Sequence, residues 1–386
     1  MATLVSLPRL MSIGGGAIGE TPAILRQLGV GHPLIVTDPF MRDSGVLRRL
    51  TALLADAGIG SSCFADTVQD PTTEVIEAGV EALSAGRFDG LVGLGGGSPI
   101  DTAKAIAILA ANGGRMRDYK VPNPIPRHGL PVIAIPTTAG TGSEATRFTV
   151  ITDTETDEKM LIAGTSITPA AAIVDFELTL TAPPRLTADT GIDALTHAIE
   201  AYVSRKANPF SDAMAVSAMR LISANLRTVC AAPGDRAARE AMMLGATQAG
   251  IAFSNASVAL VHGMSRPIGA FFHVPHGLSN AMLLPEVTAF SAASALRRYA
   301  ECAHATGMAD PAEGDQAAVA RLIEGLRRLN RDLDVPTPRR YGIDEARYRE
   351  LAPLMARQAL ASGSPANNPR VPTEAEMIGL YEKVFA

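Results

Sequence analysis

Through the first 180 residues, short apolar runs alternate with longer stretches whose apolar positions recur at helical spacing. The runs Pro33–Asp38 (PLIVTD), Gly90–Leu94 (GLVGL), Pro131–Ile135 (PVIAI) and Ala171–Asp175 (AAIVD) are expected as strands. Between them, Thr73–Ala85 and Ile100–Ala111 carry helical spacing. Strands alternating with helices predict βαβ units and a mostly parallel sheet. After Pro183 and Pro184 the texture changes. From about Leu186 onward the chain is rich in Ala, Leu, Met and Arg with a 3.6-residue period and no convincing strand. The expected organisation is an α/β domain over 1–180 and an all-helical domain over 181–386, with no internal repeat. A turn-rich loop, Ser362–Val371, precedes a last helix expected over Thr373–Phe385.

Apolar residues make up 47% and charged residues 19% of the 386, a balance that excludes wholesale disorder. The 34 basic and 39 acidic side chains leave a net charge of -5, which gives no electrostatic reason to expect nucleic acid or an anionic membrane as partner. Aromatic residues are scarce at 4%, with no Trp, which argues against base-stacking platforms. Cys63, Cys230 and Cys302 lie far apart without a CxxC pair, a usage that fits a reducing compartment. The opening MATLVSLPRLMSIGGG lacks the pattern of a signal peptide, and no charge-free apolar run approaches the ~20 residues that span a bilayer. A soluble, cytoplasmic protein is expected.

The clearest nucleotide signal is the strand GLVGL running into Gly95-Gly96-Gly97-Ser98-Pro99-Ile100-Asp101. Three successive glycines exceed what a tight turn requires. They let a pyrophosphate approach backbone N–H groups at the positive end of a helix, where Ser98 is expected as N-cap. A formal GxGxxG also occurs at Gly14, Gly16 and Gly19, with Asp38 nineteen residues further on. Leu10–Ile13 reads poorly as an opening strand, so a turn into a helix is expected there. Asp38 ends a predicted strand. A carboxylate at that place would accept bonds from ribose hydroxyls and repel a 2′-phosphate, favouring NAD over NADP. The loop Pro136–Thr146 offers hydroxyls and small residues at another strand end, suited to a nicotinamide and its ribose or simply a polar loop.

Of seven histidines, three accompany an aspartate in a telling way. Asp193 and His197 lie four apart and share one helical face, among Ile192, Ala194, Leu195, Ala198 and Ile199. A carboxylate buried there needs a compensating charge. His262 lies in an apolar context (VALVHGM), and His276 follows fourteen residues later. One carboxylate and three imidazoles form an N/O donor set for Fe(II) or Zn(II), and the lack of cysteine ligands disfavours a purely structural zinc site.

Together, LIVTD, GGGSPIDTAKAIA, PTTAGTGSEATRFTVITD, EKMLIAG, LTADTGIDALTHAIEAYVSRKANP, VHGMSRPIGAFFHVPHGLSNAMLLP and NNPR resemble the iron-dependent (group III) alcohol dehydrogenase family over essentially the whole chain. The resemblance implies an N-terminal dinucleotide-binding domain, a helical C-terminal domain and an active site in the cleft between them. It assigns the metal to Asp193, His197, His262 and His276, the pyrophosphate to Gly96, Gly97 and Ser98, and adenosine ribose recognition to Asp38. Asp70 matches a position at the adenosine part, Thr138, Thr141 and Thr146 match cofactor-contacting threonines, and Lys159 matches a lysine at a cofactor ribose. Phe148 and Phe253 match positions near the substrate pocket.

One position departs from the pattern. Family members often carry a further histidine four residues after the third ligand, a candidate for relaying the alcohol proton, and here Arg266 occupies it. Arg stays protonated and makes a poor shuttle. His273 either supplies the titrating imidazole or merely packs, and solvent acting through ribose hydroxyls is the remaining route. Arg147 and Arg266 leave room for an acidic substrate. The implied reaction is reversible hydride transfer between NAD and a small, primary aliphatic alcohol or aldehyde, in a homodimer or higher oligomer. The alternative is an NAD- and metal-dependent sugar-phosphate lyase resembling dehydroquinate synthase, which would gather several Lys and Arg residues around a phosphate.

Overall fold

Alternation within the predicted strands sends side chains to opposite faces of a sheet, and both faces are apolar. In the computed structural model, which describes residues 2–386, the chain divides into two compact units, residues 4–182 and residues 183–386 together with 2–3.

The first unit holds a six-stranded parallel sheet: β1 (Leu10–Ile13), β2 (Pro33–Val36), β3 (Ser62–Phe64), β4 (Gly90–Gly95), β5 (Val132–Pro136) and, after a β6–β7 hairpin (Phe148–Asp153 and Glu158–Ala163), β8 (Ala171–Val174). The order across the sheet is β1-β8-β5-β4-β2-β3. Its helices are α1 (Thr21–Leu28), α2 (Pro39–Asp43), α3 (Val46–Asp56), α4 (Thr73–Ser84) and α5 (Gly97–Asn112). Leu34, Val36 and Leu91 pack with Ile76 and Ile106 on one face, whereas Ile35, Val92, Leu94, Ile133 and Ile173 pack with Leu25, Leu50 and Leu54 on the other. Burial on both faces is what a parallel sheet covered by crossover helices demands.

Two local expectations are corrected, and one element is new. Leu10–Ile13 is a strand, paired in register with Ala171–Val174. It lies at the sheet edge and stays half-buried, so a weak apolar pattern suffices. Helix α5 begins at Gly97, with Gly96 rather than Ser98 at its N-cap and no side-chain cap bond. Pro99 is tolerated two positions deeper than expected because the first-turn N–H groups have no intrahelical partner anyway. The antiparallel β6–β7 hairpin is an element that the sequence pattern does not predict. It is half-exposed along one side, and a two-stranded pair has too little apolar surface to stand out.

The second unit is helical: α6 (Pro184–Val203), α7 (Pro209–Ala231), α8 (Arg236–Ala256), α9 (Leu260–Phe272), α10 (His276–Ser291), α11 (Leu296–Ala305), α12 (Asp315–Asp332), α13 (Pro338–Tyr341), α14 (Glu345–Ala361) and α15 (Glu374–Phe385). Helix α6 is buried over nearly its whole length, which explains an apolar surround on every side of its few polar residues. Among the described residues no single helix is long and apolar enough to cross a membrane, and Cys63, Cys230 and Cys302 are all free.

Candidate metal centre and dinucleotide loops

Helix periodicity brings Asp193 and His197 onto one face of α6, while His262 stands in the first turn of α9 and His276 opens α10. Their ligand atoms all lie within 4.8 Å of one another. Asp193 Oδ1 is 3.3 Å from His262 Nε2, 3.8 Å from His197 Nε2 and 3.9 Å from His276 Nε2. Ligands bound at ~2.0–2.1 Å in a tetrahedron are separated by roughly 3.3–3.4 Å, so the donors already stand close to the spacing that one cation would impose. The His197 ring stacks on His262 at 4.3 Å on one side and on Phe253 at 4.2 Å on the other, which fixes its plane. Asp193, His197 and His262 are buried, and His276 is the half-exposed member.

Electrostatics fit a cation. Burial by itself would raise the Asp193 carboxyl, yet the His197, His276 and His262 rings hold it well below the usual carboxylate range. Burial disfavours charge on His262 too, but hydrogen bonds to Asp193 and Glu200 raise its pKa above the ordinary imidazole value. The cluster therefore behaves as an electron-rich pocket that gathers positive charge. Asn280, one turn after His276, donates its Nδ2 to Asp193 Oδ1 at 2.7 Å, and that nitrogen lies 3.0 Å from His262 Nε2 and 3.3 Å from His276 Nε2. Its Oδ1 is buried without a partner. An orphaned oxygen beside converging lone pairs is costly unless a cation or water completes the site. On the far side of His262, Glu200 accepts from its Nδ1 at 2.7 Å and from three backbone N–H groups of Ala259, Val261 and His262.

Arg266 lies one turn beyond His262 and is buried. It donates through Nη1 to Ser364 Oγ at 2.9 Å, while its Nε lacks an acceptor. Burial lowers it to about 10, partly offset by Glu200, so it keeps its proton at neutral pH. His273 is exposed and ends α9 in a left-handed conformation with φ 53°, three residues before His276.

In the first unit, the chain leaves β2 toward β3 on one side and returns to β4 on the other, so the loops after β2 and β4 diverge. Crevices at such a switch point hold ligands beyond the carboxyl ends of the strands. Asp38 follows β2 and caps α2 by accepting from Met41 N at 2.8 Å. Gly95, at φ 146°, brings the two loops together, because a Cβ there would lie 3.4 Å from Asp38 Oδ2 and 2.6 Å from Pro99 Cγ. Gly93 lets α5 close on the strand, since its Cβ would meet Ile100 Cα at 3.0 Å. The uncapped start of α5 presents the N–H groups of Gly97, Ser98 and their neighbours beside the threonine loop. A Cβ on Gly96 would stand 3.6 Å from Thr138 Cγ2, and one on Gly97 would meet Thr141 Cγ2 at 2.9 Å. Thr146 is buried and Phe148 opens β6. Lys159 forms an ion pair with Asp70 at 2.9 Å, where Asp70 adopts φ 53°.

The Gly14–Gly19 loop is occupied otherwise. Gly16 N and Ile18 N donate to the Asp175 carboxylate at 3.1 and 3.2 Å, which satisfies the amides a phosphate would need.

Lys104, Glu200 and Asn280 escape a reading of the sequence alone. Lys104, buried in α5, donates to Ser143 Oγ at 3.0 Å, Thr146 Oγ1 at 3.2 Å and the carbonyls of Thr146 and Phe148 at 3.1 and 2.9 Å. Asp101, one turn earlier, accepts from Ser143 Oγ at 2.5 Å and Val150 N at 3.0 Å. A lysine inside the apolar run TAKAIAILAA was the available signal. Glu200 and Asn280 could have been found by helical spacing, at seven residues from Asp193 and four from His276.

Two family models match the chain. Residues 8–176 match the family described as iron-containing alcohol dehydrogenase, and residues 187–385 match the C-terminal part of the Fe-containing alcohol dehydrogenase family. The chain belongs to the iron-containing alcohol dehydrogenase family. Within that family it is 39% identical to an NAD-dependent methanol dehydrogenase from Bacillus methanolicus, over 98% of this chain and 99% of that protein. It is 36% identical to a lactaldehyde reductase from Escherichia coli over the full length of both. A crystal structure of a 1,3-propanediol oxidoreductase superposes with a TM-score of 0.95 at 34% identity, covering all of both chains.

Proposed function

We propose that this family member is an NAD-dependent alcohol dehydrogenase that moves a hydride reversibly between NAD and a small alcohol or aldehyde, most suitably a primary aliphatic one. The four-ligand cluster of Asp193, His197, His262 and His276 carries the reading, supported by full-length relatives with alcohol- and aldehyde-directed names. Fe(II) is the cation the family name implies, and Zn(II) suits the same N/O donors. A cation held there supplies Lewis acidity toward a substrate oxygen, and bound NAD supplies the hydride acceptor. The chain's own part is to hold both. Residues 181–386 serve as the metal-binding domain and residues 1–180 as the dinucleotide-binding domain. Gly96, Gly97 and Ser98 offer backbone donors to a pyrophosphate, Asp38 accepts from the adenosine ribose, and Asp70 lies at the adenosine part. Thr138, Thr141, Thr146 and Lys159 line the rest of the cofactor. Phe253, stacked on His197, and Phe148 provide apolar walls for the substrate. Arg266 acts as a fixed positive charge. The lyase alternative is not favoured, because both halves match alcohol dehydrogenases.

The deciding experiment is an anaerobic screen of NAD reduction over small alcohols, with apo protein reloaded separately with Fe(II) and Zn(II). Metal-dependent NADH formation is expected. Its absence for every alcohol under both metals would overturn the proposal.

Asp38→Ser keeps a side-chain oxygen able to cap α2 while removing the charge that repels a 2′-phosphate. The ratio of kcat/KM for NADP to that for NAD is expected to rise about tenfold, roughly 1.4 kcal/mol, with little change in stability. An unchanged ratio removes Asp38 from cofactor choice.

His273 is proposed as the proton relay, being the exposed imidazole next in sequence before His276. His273→Ala is expected to lower turnover about a hundredfold and to change the shape of the pH profile. Equal turnover of variant and wild type from about pH 6 to 10 excludes it. We further propose a cytoplasmic location, consistent with three unpaired cysteines, and a homodimer or higher oligomer built through the edge strand β1. Light scattering on the purified chain reads the oligomeric state directly.

A further inference from the structure

Helix α9 begins without a side-chain cap of its own, yet its first turn carries a proposed metal ligand. The missing cap comes from α6. Glu200 Oε1 accepts from Val261 N at 2.5 Å, and Oε2 accepts from Ala259 N at 3.0 Å, His262 N at 3.4 Å and His262 Nδ1 at 2.7 Å. Glu200 is itself buried, at 3% exposure. Four N–H groups converging on one side chain require a group that only accepts, which an ionised carboxylate is and an amide is not.

We propose that Glu200 is a positioning residue of the metal centre, which fixes His262 as the Nδ1–H tautomer and anchors the turn that bears it. This inference rests on the cation reading of the Asp193 cluster. An imidazole that gives its Nδ1 proton to Glu200 keeps its Nε2 lone pair free, and that nitrogen faces Asp193 Oδ1 at 3.3 Å. The orientation is doubly set, because the same carboxylate holds both the ring and the backbone N–H of the residue that carries it. Asp193, His197 and Glu200 fall at spacings of four and three residues along α6, so one helix face supplies two ligands and the holder of a third. Outer hydrogen-bond partners of ligating imidazoles typically govern metal affinity by 10–100-fold.

The test compares Zn(II) affinity, by chelator competition on the full-length protein, for wild type, Glu200→Gln and Glu200→Ala. Gln retains one acceptor for Nδ1–H but turns an N–H₂ toward donors, so about a tenfold loss is expected, and about a hundredfold for Ala. Folded variants that bind Zn(II) within twofold of wild type would overturn the inference. A wild-type chain that binds no Zn(II) would instead overturn the cation reading and this inference with it. Should both variants fail to fold, the wild type still decides. In the Zn(II)-loaded, ¹⁵N-histidine-labelled protein, His262 is expected to carry its proton on Nδ1, and a proton on Nε2 would refute the assignment.

Discussion

Asp193→Ala is expected to abolish tight binding of a divalent cation and to cut alcohol-dependent NAD reduction by about three orders of magnitude or more. Lewis-acid stabilisation is worth several kcal/mol, and each 1.36 kcal/mol is a factor of ten in rate. Asp193 is the one anionic donor in the cluster, and its oxygen is the common neighbour of all three ring nitrogens. Without it, three imidazoles remain as ligands, and none of them carries a charge to offset a buried dication. Asn280 would also lose the acceptor it now holds at 2.7 Å. NADH affinity is expected to stay close to wild type, because the proposed cofactor residues lie in the other unit. Metal content by mass spectrometry, NADH binding by fluorescence and steady-state rates check the three parts separately. A variant that keeps full NAD-linked activity without bound metal would sink the proposed mechanism.

Lys104→Met is expected to destabilise the first unit by about 3–5 kcal/mol, because it removes one partner of a buried charged network. Met fills a similar volume, so the loss is electrostatic and not a cavity. Four acceptors on Ser143, Thr146 and Phe148 would lose their donor, and the half-buried Asp101 carboxyl would lose its countercharge. Denaturant unfolding measures the cost. Weakened NAD binding should accompany it, since Thr146 belongs to the loop beside the glycine turn. Burial lowers Lys104 to about 8, against the pull of Asp101 and Glu144, from an ordinary value of 10.5. The unfolded chain then binds that proton more tightly than the folded one. Wild-type stability therefore gains as pH rises from 8 toward 10.5, and the gap to Lys104→Met widens over that window. A stability difference below 1 kcal/mol would show the ammonium to be dispensable, whereas one that narrows with rising pH would show that folding raises the Lys104 pKa instead of lowering it.

Much of the candidate site is legible in the sequence because its elements are local. Asp193 and His197 sit on one helix at the spacing that makes side chains neighbours, and the triple glycine directly follows a short apolar strand. Weaker signals misled at the edges. Leu10–Ile13 lacks a strong pattern because an edge strand needs only one covered side. Ser98 and Pro99 look like cap and first position on composition alone, so the expected helix start falls later than the observed Gly97.

The βαβ layout, the change to helices near Pro183 and the identity of the donor types follow from the chain's pattern, since periodicity and turn chemistry act over a few residues. It takes three-dimensional packing to bring His262 and His276 to the α6 pair, to set Asp175 against the amides of Gly16 and Ile18, and to let Glu200 and Lys104 hold other side chains in place. Those contacts join residues tens to more than a hundred positions apart. Whether a buried carboxylate faces a cation, a backbone amide or an imidazole depends on which distant segment packs against it.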